Sequence, residues 1–417
     1  MSEIEEGKQE QENATGNANP EQPSFDFFDS FSGNVKFLYC VEHAFKRGFQ
    51  SKKEASPDDD DSEPEDQPIQ QPRNENNFLK NVKWAPDGSC LLTNSDDNVV
   101  RLFDSPVYYP DDSSTAPDLG VTLSVVPGDV VYDYSWFPAM HSSDPTSCCF
   151  ITTARDNPVH LWDAFTGRKR ATYSAYDHLD EVTSAISCVF DPTCEKIVTG
   201  FNEVYRVFRV DRPGRDCEEV KTLQKKRKRK RSWKEGQRGV ISCLDICQAE
   251  PDWLAAGSYS GSVCVWSLQS AECILELQGD HGGVTQTKFS RDGNLLFSAH
   301  RKSGDILCWD VRHTAQTIAV MQRGGDTNQR LSFDLDALQG RFLVGGCQDG
   351  SIRTFDLTRT PSSEGILDPV ATISFEQSSS SCQEGSASRP STQSEVASCV
   401  SLHPFFSAQY PFLAAGF

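Results

Sequence analysis

Seven consecutive cations form the most highly charged segment of the chain. Such a run cannot pack as a buried element, because its charges repel one another and require water. It is typical of a nuclear localisation signal. Direct phosphate contact is the alternative, because a neighbouring indole could add base stacking to counterion release, and a solvated loop is a third interpretation. The run consists of Lys225, Lys226, Arg227, Lys228, Arg229, Lys230 and Arg231, and Trp233, Lys234 and Arg238 follow it.

A second group of candidate binding residues combines cations with aromatic and amide side chains. We place these residues on loops that reach one face of the molecule. Cations mixed with rings suit unpaired RNA, whose bases stack on rings while its phosphates are neutralised. Any one of them taken alone is more often a structural surface residue. The candidates are Arg155, Asn202, Tyr205, Tyr259, His300, Arg301, Lys302 and Arg330.

Catalytic and metal-binding patterns are not found in the sequence. It contains no G-x-S-x-G, P-loop, H-E-x-x-H or G-x-G-x-x-G motif. The turn Ser95–Asn98 resembles a calcium loop but lacks the later glutamate. The 15 cysteines are scattered without a C-x-x-C pair, which favours buried, reduced thiols. We therefore expect no enzyme, no cofactor, no metal and no small-molecule substrate.

A repeated phrase organises the rest of the chain: an apolar strand, a polar turn, and a second strand that ends in an aromatic residue. The aromatics are separated by 59, 46, 58, 43 and 46 residues, and a turn-forming residue stands six positions before each. This period predicts an all-β WD-repeat β-propeller with four strands per blade and seven blades. The aromatics are Phe103, Trp162, Phe208, Trp266, Trp309 and Phe355, and the turn residues are Asp97, Asp156, Asn202, Ser260, Ser303 and Asp349.

The predicted propeller spans residues 78–417, with a basic insertion at 221–238 and a Ser-rich loop at 376–395. The seventh blade should be incomplete, because only two of its strands precede the last residue. Residues 1–76 contain 18 acidic and 7 basic side chains and are predicted to be a disordered acidic region. Within it, 35–43 is a candidate closing strand for the ring. Ser56 and Ser62 precede acidic residues and are candidate phosphorylation sites.

Charge and hydropathy restrict the location and the partners. The net charge of −20 argues against nucleic-acid binding over the whole surface but leaves room for a local basic face. The N-terminus has no basic segment followed by an apolar one, and no apolar run is long enough for a membrane span. We expect an intracellular, soluble protein with reduced thiols and no membrane partner.

Several phrases resemble the telomerase Cajal body protein family. They are Phe78–Lys80 leading to Trp84–Ser95, Gly200–Asn202 continuing to Arg212–Cys217, Arg301–Lys302 running to Leu307–Asp310, and Thr327–Arg330 leading to Phe333–Asp336. The resemblance covers about residues 78–417. The basic insertion and the short seventh blade depart from the family pattern.

The resemblance implies a non-enzymatic RNA-binding scaffold. Family members bind small Cajal body RNAs (scaRNAs) of the H/ACA class and telomerase RNA where it carries the same loop motif. They concentrate these ribonucleoproteins in nuclear Cajal bodies, contact H/ACA proteins including the pseudouridine synthase, and support telomere maintenance. The alternative is a WD-repeat protein–protein adaptor for chromatin or ubiquitin-ligase complexes that does not bind RNA. An RNA reader should lose affinity steeply with salt and prefer loops to duplex, whereas an adaptor should not.

Overall fold

The computed structural model of the chain describes residues 36–38, 77–105, 120–228, 231–278, 282–312, 317–374, 396–405 and 412–416. At 36–38, 225–228, 231–235 and 412–416 only the backbone is described. Most of the predicted acidic region, both candidate phosphorylation sites and the Ser-rich loop lie outside these residues. The first strand is β1 (Lys36–Leu38).

The described chain forms an all-β propeller in which six sheets of four or more strands surround a central channel. In each sheet the first strand lines the channel and the next three strands pair outward in antiparallel order. The first blade consists of β2 (Leu79–Trp84), β3 (Cys90–Ser95), β4 (Val100–Asp104) and β5 (Val121–Val125), and the second of β6 (Val131–Trp136), β7 (Cys149–Ala154), β8 (Val159–Asp163) and β9 (Lys169–Tyr173). A small hairpin of β10 (Ala175–Tyr176) and β11 (Val182–Thr183) follows. The third blade consists of β12 (Ser187–Phe190), β13 (Lys196–Gly200), β14 (Val204–Arg209) and β15 (Cys217–Lys221).

A separate hairpin stands between the third and fourth blades. It consists of β16 (Leu223–Lys228) and β17 (Arg231–Gly236). The fourth blade consists of β18 (Ile241–Ile246), β19 (Trp253–Ser258), β20 (Ser262–Ser267) and β21 (Cys273–Gln278), and the fifth of β22 (Val284–Phe289), β23 (Leu295–His300), β24 (Asp305–Asp310) and β25 (Thr317–Gln322). The sixth blade consists of β26 (Phe333–Leu335), β27 (Phe342–Gly346), β28 (Ser351–Asp356) and β30 (Ala371–Ser374). The short strand β29 (Ile366–Leu367) pairs in parallel with β25 of the fifth blade.

The repeat that predicts the blades has a direct structural cause. All six periodic aromatics lie in third strands and are at most 5% exposed, because a third strand has a neighbouring sheet on each side. Asp156 takes a φ of 54°, and Asn98 and Lys302, each next to a predicted turn residue, take φ of 61°. These left-handed conformations close the turns between second and third strands and explain the polar residues found there.

A three-stranded sheet lies between the sixth and first blades. It consists of β31 (Cys399–Leu402), β32 (Phe412–Gly416) and β1, which pairs with β32 in parallel. Trp84 Nε1 of the first blade donates to Ser401 O at 3.2 Å, and Leu402 N donates to Asp334 Oδ2 of the sixth blade at 2.9 Å. The sheet thereby joins the two end blades of the ring.

The basic insertion contains a regular element. Residues 223–228 and 231–236 form the antiparallel hairpin. Arg229 and Lys230 lie outside the described residues.

Candidate nucleic-acid interface

The turns between second and third strands, together with the loops between blades, form one face of the propeller. Arg155 follows β7, Tyr259 follows β19, and Arg301 and Lys302 follow β23, so three turns place these side chains at the same face. Arg330 precedes β26 on a loop between blades. The predicted collection of cations and rings on one face is present for these five residues.

Arg301, Tyr259 and Arg330 form the centre of this face. The guanidinium carbon of Arg301 lies 4.3 Å from the centroid of the Tyr259 ring, and Arg301 Nη2 donates to Tyr259 Oη at 3.1 Å. Arg330 Nη2 donates to the same hydroxyl at 2.9 Å. One phenol therefore holds two guanidinium groups side by side, and the stacked pair contributes about 0.5–2 kcal/mol depending on its exposure.

Arg330 also spans the mouth of the channel. Its Nη1 donates to Tyr132 O of the second blade at 3.3 Å, and its Nη2 donates to Ser242 O of the fourth blade at 3.2 Å. Burial lowers the pKa of Arg330, but the interactions with Tyr259 and the charge of Asp133 outweigh it and raise the pKa above its usual value. Arg330 is thus a fixed cation that ties three blades together.

Tyr132 extends the group to Arg155. Arg155 is exposed, its Nε donates to Tyr132 Oη at 3.4 Å, and its Nη1 lies 3.9 Å from Asp129 Oδ2. The hydrogen bond to Tyr132 and the charge of Asp129 raise the pKa of Arg155. Tyr132 is not among the candidate residues that the sequence indicates. The available signal was its position at the start of an innermost strand, beside the loop face.

Among the described residues, neither central guanidinium has a carboxylate within ion-pair distance, although the charge of Asp133 acts on Arg330 from further away. Within the described part of the chain, no ion pair joins a carboxylate to Arg301 or Arg330, and Arg301 Nε is buried without a hydrogen-bond partner. A buried donor of this kind is costly unless a ligand or water pairs with it. We define the cationic–aromatic cluster as Arg155, Tyr132, Tyr259, Arg301, Lys302 and Arg330.

Two predicted binding residues are structural instead. Tyr205 is fully buried, because it lies inside the third strand β14, with its ring 5.7 Å from that of Trp266. Burial raises the pKa of its hydroxyl. His300 is 4% exposed, its Nδ1 lies 2.9 Å from Gly282 O, and its Nε2 lies 3.0 Å from Ser298 Oγ. Both side chains are buried, so neither lies on the surface where we expect RNA to bind.

His300 belongs to an internal hydrogen-bonded network of the fifth blade. Ser298 Oγ, which meets His300, also accepts a hydrogen bond from Trp309 Nε1 at 3.0 Å. The network joins the second strand, the third strand and the loop before the blade. These hydrogen bonds explain why the His300 side chain points into the blade although Arg301 and Lys302, which follow it, lie at the loop face.

The remaining two predicted residues lie at the face but outside the hydrogen-bonded cluster centre. Asn202 is exposed and its backbone bridges to Val240. Lys302 is exposed, and its amide donates to Thr327 O at 3.1 Å. Lys302 extends the positive charge of Arg301 outward, whereas Asn202 stands beside the base of the basic hairpin.

Below this face, the central channel has compensated charges. Its cavity has a volume of about 530 Å³. Lys83 Nζ lies 3.2 Å from Asp133 Oδ1, and Lys288 pairs with Asp334. Burial raises the pKa of Asp245 to about 6, although Phe289 N donates to its carboxylate at 2.7 Å. The channel is therefore not a second cationic surface.

The described residues contain no group of acidic, histidine or cysteine side chains that could hold a metal ion. They also contain no helix long and apolar enough to cross a bilayer.

The fold and the repeat place the chain in the class of WD-repeat β-propellers. Residues 69–104, 227–267 and 271–310 match the family described as WD domain, G-beta repeat. The chain is 41% identical to Telomerase Cajal body protein 1 of Mus musculus, over 71% of this chain and 54% of the relative. It is 42% identical to that of Homo sapiens over 70% and 52%, and 33% identical to the Drosophila melanogaster homolog over 68% and 51%.

The chain belongs to the telomerase Cajal body protein family. It spans about half the length of these curated relatives.

Proposed function

We propose that this chain is a non-enzymatic, nuclear RNA-binding scaffold. It binds the loops of H/ACA-type small Cajal body RNAs and of telomerase RNA and directs these ribonucleoproteins to Cajal bodies, in support of telomere maintenance. The relatives' names associate them with telomerase and with the Cajal body, which supports this choice among the functions that WD-repeat propellers perform. The H/ACA proteins, including the pseudouridine synthase, are the proposed protein partners.

The pair of guanidinium groups held by Tyr259 is the observation that carries the proposal. Arg301 and Arg330 share one hydroxyl at 3.1 and 2.9 Å, and no described carboxylate pairs with either. An RNA loop offers phosphates to such donors and unstacked bases to the neighbouring rings. Arg155 and Lys302 lie at the edges of the cluster, where they are placed to contact the flanking backbone.

The basic run at 225–231 is proposed to serve nuclear entry, since Cajal bodies lie in the nucleus. The three-stranded sheet of β31, β32 and β1 is proposed to be part of a seventh blade, because it occupies the position between the sixth and first blades. The acidic region before residue 77 is proposed to be disordered on the basis of its composition.

The experiment is a binding titration with three labelled RNAs: an H/ACA stem–loop, the same stem closed into continuous duplex, and the loop sequence alone. We expect a preference for the stem–loop over the duplex, with affinity that falls steeply between 50 and 200 mM salt, as for other phosphate-binding proteins. The double variant Arg301→Ala/Lys302→Ala should lose the preference. Equal binding to all three RNAs by the parent chain would overturn the proposed loop recognition, and the absence of binding to all three would favour the protein–protein adaptor.

The matched control is Arg209→Ala. Arg209 is exposed at the end of a third strand, so it lies at the opposite face, and its Nε donates to Asp211 at 2.9 Å. Its removal takes away a surface cation without touching the cluster. It should leave both the affinity and the loop preference unchanged.

A further inference from the structure

The basic hairpin, β16 with β17, has a defined position on the propeller. Thr222 N at its base donates to Glu203 O at 2.9 Å, and Thr222 Oγ1 donates to Gln237 O at 2.9 Å. Asn202 and Glu203 form the turn between the second and third strands of the third blade. The hairpin therefore rises from the same face as the cationic–aromatic cluster.

The second strand of the hairpin is fixed to the fourth blade. Gln237, directly after β17, is 1% exposed; its Nε2 donates to Ala256 O at 2.7 Å, and its Oε1 accepts from Trp266 Nε1 at 3.4 Å. Both ends of the hairpin are thus held by buried hydrogen bonds. A ribbon anchored at both ends has a restricted direction relative to the face.

The register of the hairpin places like charges opposite each other. Lys225 is the partner of Lys234, and Lys228 is the partner of Arg231. Like charges directly across a strand pair are destabilising. Residues 223–236 contain eight cations and one carboxylate, Glu235, so the ribbon has only one negative charge of its own to relieve the repulsion.

We propose that this hairpin is a phosphate-binding ribbon that contacts the stem of the RNA whose loop occupies the cationic–aromatic cluster. The inference rests on the proposed RNA binding and adds a second contact to it. An RNA loop continues on both sides into a stem, and the stem phosphates are the polyanion that a ribbon on the same face meets first. Stem phosphates bound to the ribbon relieve the repulsion between the opposed cations and release counterions.

We attribute phosphate binding by the ribbon to its positive charges and not to hydrogen bonds from its backbone. β16 and β17 pair with each other in antiparallel register, so the run is held as a hairpin and not as an extended single chain. Phosphates require only the cations. An import receptor that reads the same residues as an extended chain would need the hairpin to open.

The test compares the full chain with two hairpin variants in the same titration. The neutral variant carries Lys225→Gln, Lys226→Gln, Lys228→Gln and Lys234→Gln, and the matched control carries Arg at the same four positions. For the stem–loop RNA, we expect the neutral variant to lose roughly tenfold or more in affinity at low salt, with a log–log salt slope shallower by about 0.7–0.9 per lost phosphate contact. The Arg control should keep both quantities, and binding to the loop oligonucleotide alone should change little.

Three other outcomes would each overturn either the ribbon or the proposed function. An unchanged affinity and slope in the neutral variant, while Arg301→Ala/Lys302→Ala loses binding, overturns the ribbon and leaves the proposed function standing. A parent chain without loop preference, combined with a shallower slope in the neutral variant, removes the proposed function and supports the ribbon as a general polyanion contact. A neutral variant that binds RNA normally but fails to enter the nucleus identifies the segment as an import signal alone and overturns the ribbon.

Discussion

Arg301 lies over the ring of Tyr259, with its guanidinium carbon 4.3 Å from the ring centroid, and donates to the hydroxyl of that same tyrosine. The two residues come from the turns of adjacent blades, the fourth and the fifth. Their contact, together with the bond from Arg330 to the same hydroxyl, makes a rigid double-cation group from three separate loops.

Removing the hydroxyl of Tyr259 should loosen this group. Tyr259→Phe keeps the ring but removes the acceptor of Arg301 and Arg330, so we expect a fall in stem–loop affinity of about three- to tenfold, which corresponds to about 0.7–1.4 kcal/mol, the net value of one ordinary hydrogen bond. Fluorescence anisotropy measures the change. Tyr173→Phe is the control, since it removes a hydroxyl that donates to Val210 O outside the cluster. Equal losses in the two variants would contradict the role of Tyr259.

His300 should matter for folding and not for RNA. Since His300 joins Gly282 O and Ser298 Oγ inside the fifth blade, His300→Ala should lower the free energy of unfolding by about 1–3 kcal/mol. The folded variant should retain its RNA affinity. Lys302→Ala, two residues further along the chain, should show the reverse: weaker RNA binding with unchanged urea unfolding.

The contact between Asp334 and the last sheet should support the joined ends of the ring. Its carboxylate accepts from Ser401 Oγ at 3.1 Å and Leu402 N at 2.9 Å, and it pairs with Lys288. Asp334→Asn should reduce the free energy of unfolding in urea by about 1–3 kcal/mol, because the charged carboxylate, which has two acceptor oxygens, is replaced by a neutral amide that has only one. Asp211→Asn, which alters only an exposed pair with Arg209, should change little. Identical urea midpoints for the parent and Asp334→Asn would contradict this account.

Asp245 should make the stability depend on pH between about 4 and 6. Burial raises its folded pKa to about 6, whereas an unfolded aspartate titrates near a pKa of about 3.9. The folded state therefore binds the proton more tightly, so the stability contributed by Asp245 is present below about pH 4 and falls as the pH rises towards 6.

Asp245→Asn should remove this dependence. The amide keeps an oxygen for the bond from Phe289 N and carries no charge, so the variant should gain about 1–3 kcal/mol relative to the parent at pH 7.5 and nothing at pH 4. Urea unfolding at the two pH values measures both differences. A variant that is less stable than the parent at pH 7.5 would show that the charged form is favoured in the fold.

The repeat was predictable because one physical cause recurs in every blade. Third strands are buried on both sides, so Phe103, Trp162 and Trp309 recur as large apolar residues, and the tight turns before them require polar residues. The same reasoning places Arg155, Arg301 and Lys302 on turns. These features depend on local sequence and on the period.

The cationic–aromatic cluster was harder to predict from the sequence, because its contacts join residues far apart in the chain. Arg330 reaches Tyr132 across 198 residues, and no local pattern indicates that pair. Tyr205 and His300 are close in sequence to the exposed residues Asn202 and Lys302, but both lie in strands whose side chains are buried on both faces. The register of the basic hairpin depends on backbone pairing, which a run of cations does not reveal.

The most direct test of the central claim is crosslinking and sequencing of the RNA bound to this protein in cells, for the parent chain, Arg301→Ala/Lys302→Ala and the opposite-face control Arg209→Ala. We expect H/ACA-type loop RNAs to be enriched on the parent chain and on the control, and to be lost from the double variant. Background RNA on all three proteins would exclude loop-RNA binding and leave the protein–protein adaptor as the better description.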